Sequence, residues 1–453
     1  MNIQMLGGVD PFVRLRTLRS RSLRFSLIVV GSLAAAWSQP AAAATLLGSF
    51  RGDAYGTNST VVVGPIAASL GKTALLPCPC QGTNGATLQN NITSLSVGPG
   101  GVILTAGAVT STAYARKTTT NTAEVSNTST IAGLNLLGGL ITATAVKAVA
   151  NVNATATQLN GNSTGSVFTN LVIAGTPISA NPTPGTTISV PGVATVKLNN
   201  VVITGNHTKQ RNVSVEMLTI QLLAGNSFGL PAGAKIVVAH ATAGYVRNQL
   251  PNLVGGQAYA ATANATIGSV IQNKIGKAAL VSIGCDGTNG KTVTNEIVDL
   301  NVDNLLSIGT GTTTASGGIN GSGTIARTTA KIENASLLKI PPLGLPLIGF
   351  TAITAAVEDQ FNGSIHTRSV AGTQFAGLKV AGINIPVNVA PNTRIDLLGF
   401  GYVILNEQVV PAANKKGIMK VNGLRLVINK TNILGIKVGS EIIVAHAEAT
   451  AQR

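Results

Sequence analysis

One stretch of this 453-residue chain is written twice. Phe375–Asn406 reads FAGLKVAGINIPVNVAPNTRIDLLGFGYVILN, and Phe168–Asn199 reads FTNLVIAGTPISANPTPGTTISVPGVATVKLN. Laid together without a gap at an offset of 207, 13 of the 32 positions are identical. The register persists far from that stretch. Gly71-Lys72 recurs at Gly276-Lys277, Cys80 at Cys285, and Val238-Ala239-His240 at Val444-Ala445-His446. Self-similarity at one long period marks duplicated structural units. The second copy must therefore fold as the first does. The chain reads as a leader over 1–44, a first module over 45–245, a linker over 246–254 and a second module over 255–453.

Composition then narrows what one copy can be. Hydrophobic residues make up 45% of the chain, but aromatics only 3% and charged residues 10%. An average globular protein carries roughly 25% charge. The core must be built from Val, Ile, Leu and Ala, with Thr, Asn, Ser and Gly wetting the surface. β-Branched residues suit a pleated, half-buried surface, and 52 glycines and 18 prolines supply turns. The expected fold is all-β: two tandem homologous β-sandwich-like modules. A continuous β-solenoid is the alternative, and the absence of any short repeat of roughly 20–30 residues speaks against it.

The first 44 residues carry Arg14, Arg16, Arg19, Arg21 and Arg24, then the apolar run Phe25–Trp37, then Ala41–Ala44. A charged start, a short apolar middle and a small-residue exit make a secretory signal peptide, cut near Ala43 or Ala44. The run is too short to span a bilayer, which takes about 20 apolar residues. The expected location is extracellular or cell-surface. No C-terminal hydrophobic helix, sorting signal or basic tail follows His446.

Further along, Phe50–Val63 and Ile92–Val97 alternate like strands. Leu140–Thr157 is rich in alanine but mixes in Thr, Val and Asn without a helical stripe, so it reads as a long strand entered through a turn at Leu134–Gly139. Lys235–Gly244 and Glu441–Thr450 read as one closing strand in two copies. Strict alternation would put Ile236, Val238 and His240 on one face and Val237, Ala239 and Ala241 on the other.

The formal charge is +16, of which five arginines and one aspartate belong to the leader, leaving +12. The cations are scattered singly. That field suits weak attraction to anionic cell-wall or matrix polymers and lacks the basic stripe with interleaved aromatics of a nucleic-acid groove.

Residues that could carry chemistry are sparse. The first module holds only Asp53, Glu124 and Glu216 as acids, and the second has one adjacent pair, Glu358-Asp359. Paired acids at the right separation could hydrolyse glycosides, but neither acid of that pair is duplicated. Of His207, His240, His366 and His446, only His240 and His446 match each other, inside an apolar strand where a hydrogen-bonded structural role is expected. No metalloprotease, nucleophile-elbow or phosphate-loop motif occurs. No catalytic residue, metal ligand or cofactor is therefore expected. Cys78, Cys80 and Cys285 leave one thiol unpaired or bonded outside the chain, with Cys78–Cys285, Cys80–Cys285 and a strained Cys78–Cys80 pairing all open. Arg51-Gly52-Asp53 spells an integrin-type tripeptide without a counterpart in the second module.

Ala54-Tyr55-Gly56, Leu134–Ala143 with its Leu-Leu-Gly-Gly-Leu core, and Leu378–Gly382 resemble a family known as choice-of-anchor P proteins. So do Val403–Gln408, Val421–Leu424 and Ile442–Ala447. These are exported bacterial proteins with a shared ectodomain and varying C-terminal anchors. The first module departs from the pattern with Asn200-Val201 where the second has Glu407-Gln408, and no such anchor follows here. The resemblance implies an extracellular protein and carries no catalytic residues across. The functional expectation is a non-enzymatic protein with a structural or adhesive role at the bacterial envelope. A binding module for anionic envelope or matrix glycans is the first alternative, and a secreted hydrolase the second.

Overall fold

The computed structural model describes residues 46–451, apart from 60–70, 94, 98–100, 119–120, 250–253, 268–270, 303, 321–322, 343 and 414. The leader and the centre of the linker lie outside the described residues.

Alternation does most of the folding. Along Ala123–Leu136, Ala123, Val125, Asn127, Ser129 and Ile131 are buried while their neighbours stay half-exposed, the period-2 signature of a strand with one face on a core. Ile141–Ala154 pairs with it antiparallel from end to end. The long alanine-rich segment is thus a strand, as its Thr and Val content dictates. The strand before it ends at Leu136, and the chain turns over residues 137–140.

Strands gather into four antiparallel sheets, each drawn from one half of the chain. In the first half, a seven-stranded sheet runs Thr187–Val190, Ala194–Thr204, Gln210–Leu222, Lys235–Arg247, Asp53–Ser59 and Leu76–Pro77, with Gly48–Arg51 also on Lys235–Arg247. A ten-stranded sheet is centred on Ala123–Leu136 and Ile141–Ala154. The second half repeats the plan. A seven-stranded sheet carries Val254–Ile267, Glu441–Ala451, Met419–Ile428 and Gly401–Val409 in order, and an eight-stranded sheet is centred on Gly323–Ile340 and Leu345–Phe361. The sheets neither close into a barrel nor curl into a solenoid, which removes the solenoid alternative.

Within each half the two sheets are tied by matched hydrogen bonds, one pair of which lies between long strands. Asn127 Nδ2 donates to the Thr242 carbonyl at 2.6 Å, and Thr328 Oγ1 donates to the Glu448 carbonyl at 3.1 Å. Buried apolar side chains of both halves form one contiguous cluster, and Ala43–Arg453 is a single compact unit. The stretch read as a linker is shorter than expected: Val246 and Arg247 finish the closing strand, and Val254 opens the next.

The closing strands correct the alternation argument. Ala239 and Ala445 sit at φ +53° and +56°, a left-handed conformation that costs an L-residue about 1–2 kcal/mol. Pairing with Gln210–Leu222 jumps from Val238↔Leu218 to His240↔Glu216 across this point. Side-chain parity flips with it. Ile236, Val238, Ala241 and Ala243 all face the main core, whereas Val237 packs in a separate cluster with Tyr55, on which His240 stacks. His240 therefore does not share a face with Ile236 and Val238. One left-handed residue turns it out of the core, as a bulge re-aims a side chain.

Candidate functional site

The face to which His240 is turned is where the two halves meet. Tyr55, Leu75 and Val237 of the first half pack with Tyr259 and Leu280 of the second, and Ile443 lies against them. These are three matched pairs, so the contact has approximate two-fold symmetry. It is locked by a reciprocal clasp. Lys277 N–H donates to Asn90 Oδ1 at 2.7 Å, and Lys72 N–H donates to Asn295 Oδ1 at 2.7 Å. Asn90 Nδ2 donates to the Leu75 carbonyl and Asn295 Nδ2 to the Leu280 carbonyl, each at 2.8 Å. Each asparagine thus bonds its own half and the other at once. The repeated Gly-Lys dipeptide now has a cause. A Cβ on Gly71 would lie 2.1 Å from Asn295 Oδ1, and one on Gly276 would lie 1.8 Å from Asn90 Oδ1.

Beside the clasp each half builds the same aromatic stack. Tyr55 and His240 are stacked with ring centroids 4.3 Å apart, and so are Tyr259 and His446. Lys72 Nζ lies 4.8 Å from the Tyr55 ring centre and Lys277 Nζ 5.4 Å from that of Tyr259, within cation–π range. The polar partners then diverge in a compensated way. Lys72 donates to Asp53 at 3.2 Å, and the Thr242 hydroxyl donates to Asp53 at 2.7 Å. In the second half Lys277 donates to Gln257 at 2.8 Å, and Gln257 donates to Glu448 at 2.6 Å. Asp53 corresponds to Gln257 and Thr242 to Glu448, so the carboxylate has changed strands.

Burial sets the protonation states. It lowers both imidazoles below the usual histidine range and pushes both phenols far up, helped by Asp53 and Glu216 at Tyr55 and by Glu448 and Glu441 at Tyr259. Burial also pushes the Asp53 carboxyl up, but Lys72, His240 and the Thr242 hydroxyl outweigh it and hold the group below its ordinary value. Glu448 is likewise raised by burial and lowered further by His446, Gln257 and Lys420, to about 2. Each cluster therefore holds a neutral Tyr–His stack beside an ionised carboxylate.

The stack itself is closed, since the four rings are only 5–9% exposed. Its polar edge opens on clefts between the halves. A cleft of about 760 Å³ is lined by Asp53, Lys72 and Leu75 on one side and Val281, Asn295 and Glu296 on the other. A second, of about 520 Å³, is lined by Gln257, Lys277 and Glu448 facing Leu76–Cys80. Each presents an ammonium beside a carboxylate or amide, a surface suited to charge-assisted hydrogen bonds with a polar ligand.

The residues singled out in the sequence fall as follows. Cys80 is disulfide-bonded, whereas Cys78 is a free, buried thiol pushed up to about 12 by burial. The two pairings that use Cys78 therefore do not form. Cys285 opens the strand Cys285–Thr288. Arg51 pairs with Asp286 at 2.5 Å and Asp53 with Lys72, so the Arg-Gly-Asp tripeptide is spent on internal ion pairs. Glu358 and Asp359 part company: Glu358 bonds Arg327, while Asp359 is fully buried on His366 at 3.0 Å. His446 Nδ1 bonds Asn422 within its own half at 2.6 Å, but His240 Nδ1 has no hydrogen-bond partner. Carboxylates approach both rings, Asp53 and Glu216 at 4.0 and 3.9 Å from His240 and Glu448 at 3.5 Å from His446. A simple structural strand histidine was not expected to have such neighbours. Among the described residues no group of three or more His, Cys, Asp or Glu is placed to hold a metal ion, and no helix is long and apolar enough to cross a membrane.

Compared with known proteins, the chain matches no family model, no curated protein and no solved structure.

Proposed function

We propose that this chain is an exported protein of the bacterial envelope or cell surface with a structural or adhesive, non-enzymatic role. In this reading it is a divergent relative of choice-of-anchor P proteins, with each pair of sheets forming a sandwich-like module. The observation that carries it is the fusion of two copies through a matched clasp and apolar contact. Such an arrangement favours rigidity and leaves the duplicated histidines sealed against their tyrosines rather than offered to a substrate.

Charge favours a second reading, binding of anionic envelope or matrix glycans. Beyond the leader, Lys and Arg number 26 against 14 Asp and Glu. Many of the acids are already engaged, Asp53, Glu124, Glu216, Asp286, Glu407 and Glu448 among them. The cationic surplus is then free to face a polymer. Fractionating cells into membrane, wall and medium tests the location, with wall or surface fractions expected. Binding of residues 45–453 to isolated wall, titrated with salt, separates the two readings: charge-driven binding falls as salt rises, whereas a shape-based adhesive contact holds. Protein confined to the cytoplasm, or no wall binding at any salt, sinks both.

A further inference from the structure

The two halves are built alike at their tips and finished differently. The loop over 429–440 is organised by Asn432, whose Oδ1 accepts from the Leu434 and Ile436 N–H groups and whose Nδ2 donates to the Ile436 carbonyl at 2.8 Å. Asn226 makes the same bonds to Phe228 and Leu230 in the first half. On this shared scaffold the residue after the asparagine points outward, and it is Ser227 in one copy and Ile433 in the other. Ile433 is 75% exposed. The difference repeats around the tip. Where the first half has Thr176, Pro191 and Ala232, the second has Ile383, Leu398 and Val438, which are 63%, 90% and 52% exposed.

These loops share one end of the second half. Asn429 and Lys430 N–H groups bond the Phe400 carbonyl, beside Leu398. Ala381 N–H bonds the Leu347 carbonyl, which joins the Ile383 hairpin to the start of Leu345–Phe361. Ala451 N–H bonds Asp359, and six residues earlier on each strand Ile353 and Ala445 both lie where a Cβ on Gly423 would fall, so Leu345–Phe361 and Glu441–Ala451 run the same way and begin close together. The hairpin between Gly323–Ile340 and Leu345–Phe361 also reaches further than its counterpart. The first half turns just beyond Leu136↔Ile141, but the second continues past Leu337↔Ile348 to Lys339↔Pro346 and Ile340↔Leu345. Leu345 rides on that extension, 63% exposed. At its own tip the first half shows only Val102 and Leu223 as exposed large apolar residues among those described, at 46% and 37%.

Charge follows the same division. Exposed Lys379, Lys430 and Lys437 flank the apolar tip, at positions where the first half has Val172, Ala224 and Pro231. The acids nearby, Asp396 and Glu441, are taken by Arg394 and Arg425. Exposed aliphatic side chains ringed by unopposed lysines match the chemistry of a membrane surface, with apolar groups for the acyl boundary and cations for anionic headgroups. We infer that the tip of the second half is a docking surface for an anionic lipid bilayer, on which the protein lies without spanning it. This goes beyond an adhesive or glycan-binding role and does not depend on it.

The first half supplies the control variant, because its residues already occupy the same backbone. Residues 45–453 are expected to sediment with phosphatidylglycerol vesicles and far less with phosphatidylcholine vesicles. Ile383→Thr, Leu398→Pro, Ile433→Ser and Val438→Ala combined should weaken partitioning at least tenfold with an unchanged melting curve. Should that variant misfold, Lys430→Gln and Lys437→Gln decide the matter, each weakening binding roughly fivefold at low salt and less at high salt. The only tryptophan, Trp37, lies in the leader, so Ile433→Trp gives a single fluorophore whose emission should shift to the blue on vesicles. Failure of the parent protein to bind, equal binding to neutral vesicles, or full binding by the variants would overturn the inference. So would self-association through the tip without vesicle binding, which would make a second copy the occupant.

Discussion

In the first half the carboxylate of the Tyr–His–Lys cluster comes from Asp53, on the strand that carries Tyr55; in the second it comes from Glu448, on the strand that carries His446. Around this exchange the stack spacing is unchanged at 4.3 Å, and a lysine stays over each tyrosine. The tips behave otherwise. There the loop scaffold survives in Asn226 and Asn432, but the side chains it presents have gone from small or polar to apolar. The lesson is one of constraint. At the contact between halves a buried charge set must balance, so a change on one strand is tolerated only with its complement on the next. At a solvated tip no partner enforces a residue, and divergence reports what each tip meets.

The clasp should show the largest effect if the contact is what fixes the two halves. Asn90→Ala and Asn295→Ala each strand buried backbone groups that the asparagine satisfied, at about 2–3 kcal/mol apiece. The double variant should lose about 4–6 kcal/mol of unfolding free energy in a denaturant titration. A loss under about 1 kcal/mol would mean that the halves hold without the clasp.

Glu448 comes next, and its effect depends on pH. Its carboxyl is held at about 2 against an ordinary 4.5. The folded state thus prefers the ionised form, and the stabilisation is complete above pH 4.5 and lost as pH falls through about 2. Glu448→Gln should cost about 3 kcal/mol at neutral pH and flatten the fall in stability over that acid window. An unchanged acid limb would place the stabilisation elsewhere.

The histidines should give the smallest effect, with the sign of a depressed base. Burial lowers both folded-state values below 6.5, so the unfolded chain takes the proton first. Their contribution is full above pH 6.5 and declines as pH falls below it. His240→Gln with His446→Gln should remove that decline and cost about 1 kcal/mol per lost stack at neutral pH. A steeper decline in the variant would contradict neutral imidazoles.

Much of the fold was legible because it rests on local pattern. Alternating Val and Thr along Ala123–Leu136 and Ile141–Ala154 gives strands whatever packs on them, and the long offset gives the two copies. What escaped depended on contacts between copies. Gly71 and Gly276 stood out as a repeated dipeptide, but nothing local says that an asparagine of the other half sits against each. The polar identities Tyr55/Tyr259, Lys72/Lys277 and Asn90/Asn295 were the available signal, since a polar residue kept in both copies has a partner to satisfy. The face of His240 was misjudged because a left-handed alanine is invisible to alternation: Ala adopts φ +53° only when surroundings enforce it. The exchange of Asp53 for Glu448 was hidden as well, because position-by-position comparison pairs Asp with Gln and Thr with Glu and so sees two mismatches.

That exchange offers the sharpest measurement. Asp53→Gln and Thr242→Glu together carry the Gln257–Glu448 pair of the second half onto the strands of the first, with Glu216 kept where the second half has Asn422. Asp53→Gln alone leaves Lys72 without its carboxylate, and Thr242→Glu alone crowds a second carboxylate against Asp53, so each should cost about 2 kcal/mol. The double variant should return to within about 1 kcal/mol of the parent, a favourable coupling of about 3–4 kcal/mol by double-mutant cycle. Additive losses of about 4 kcal/mol would contradict the claim that the two clusters are interchangeable solutions to one buried charge set.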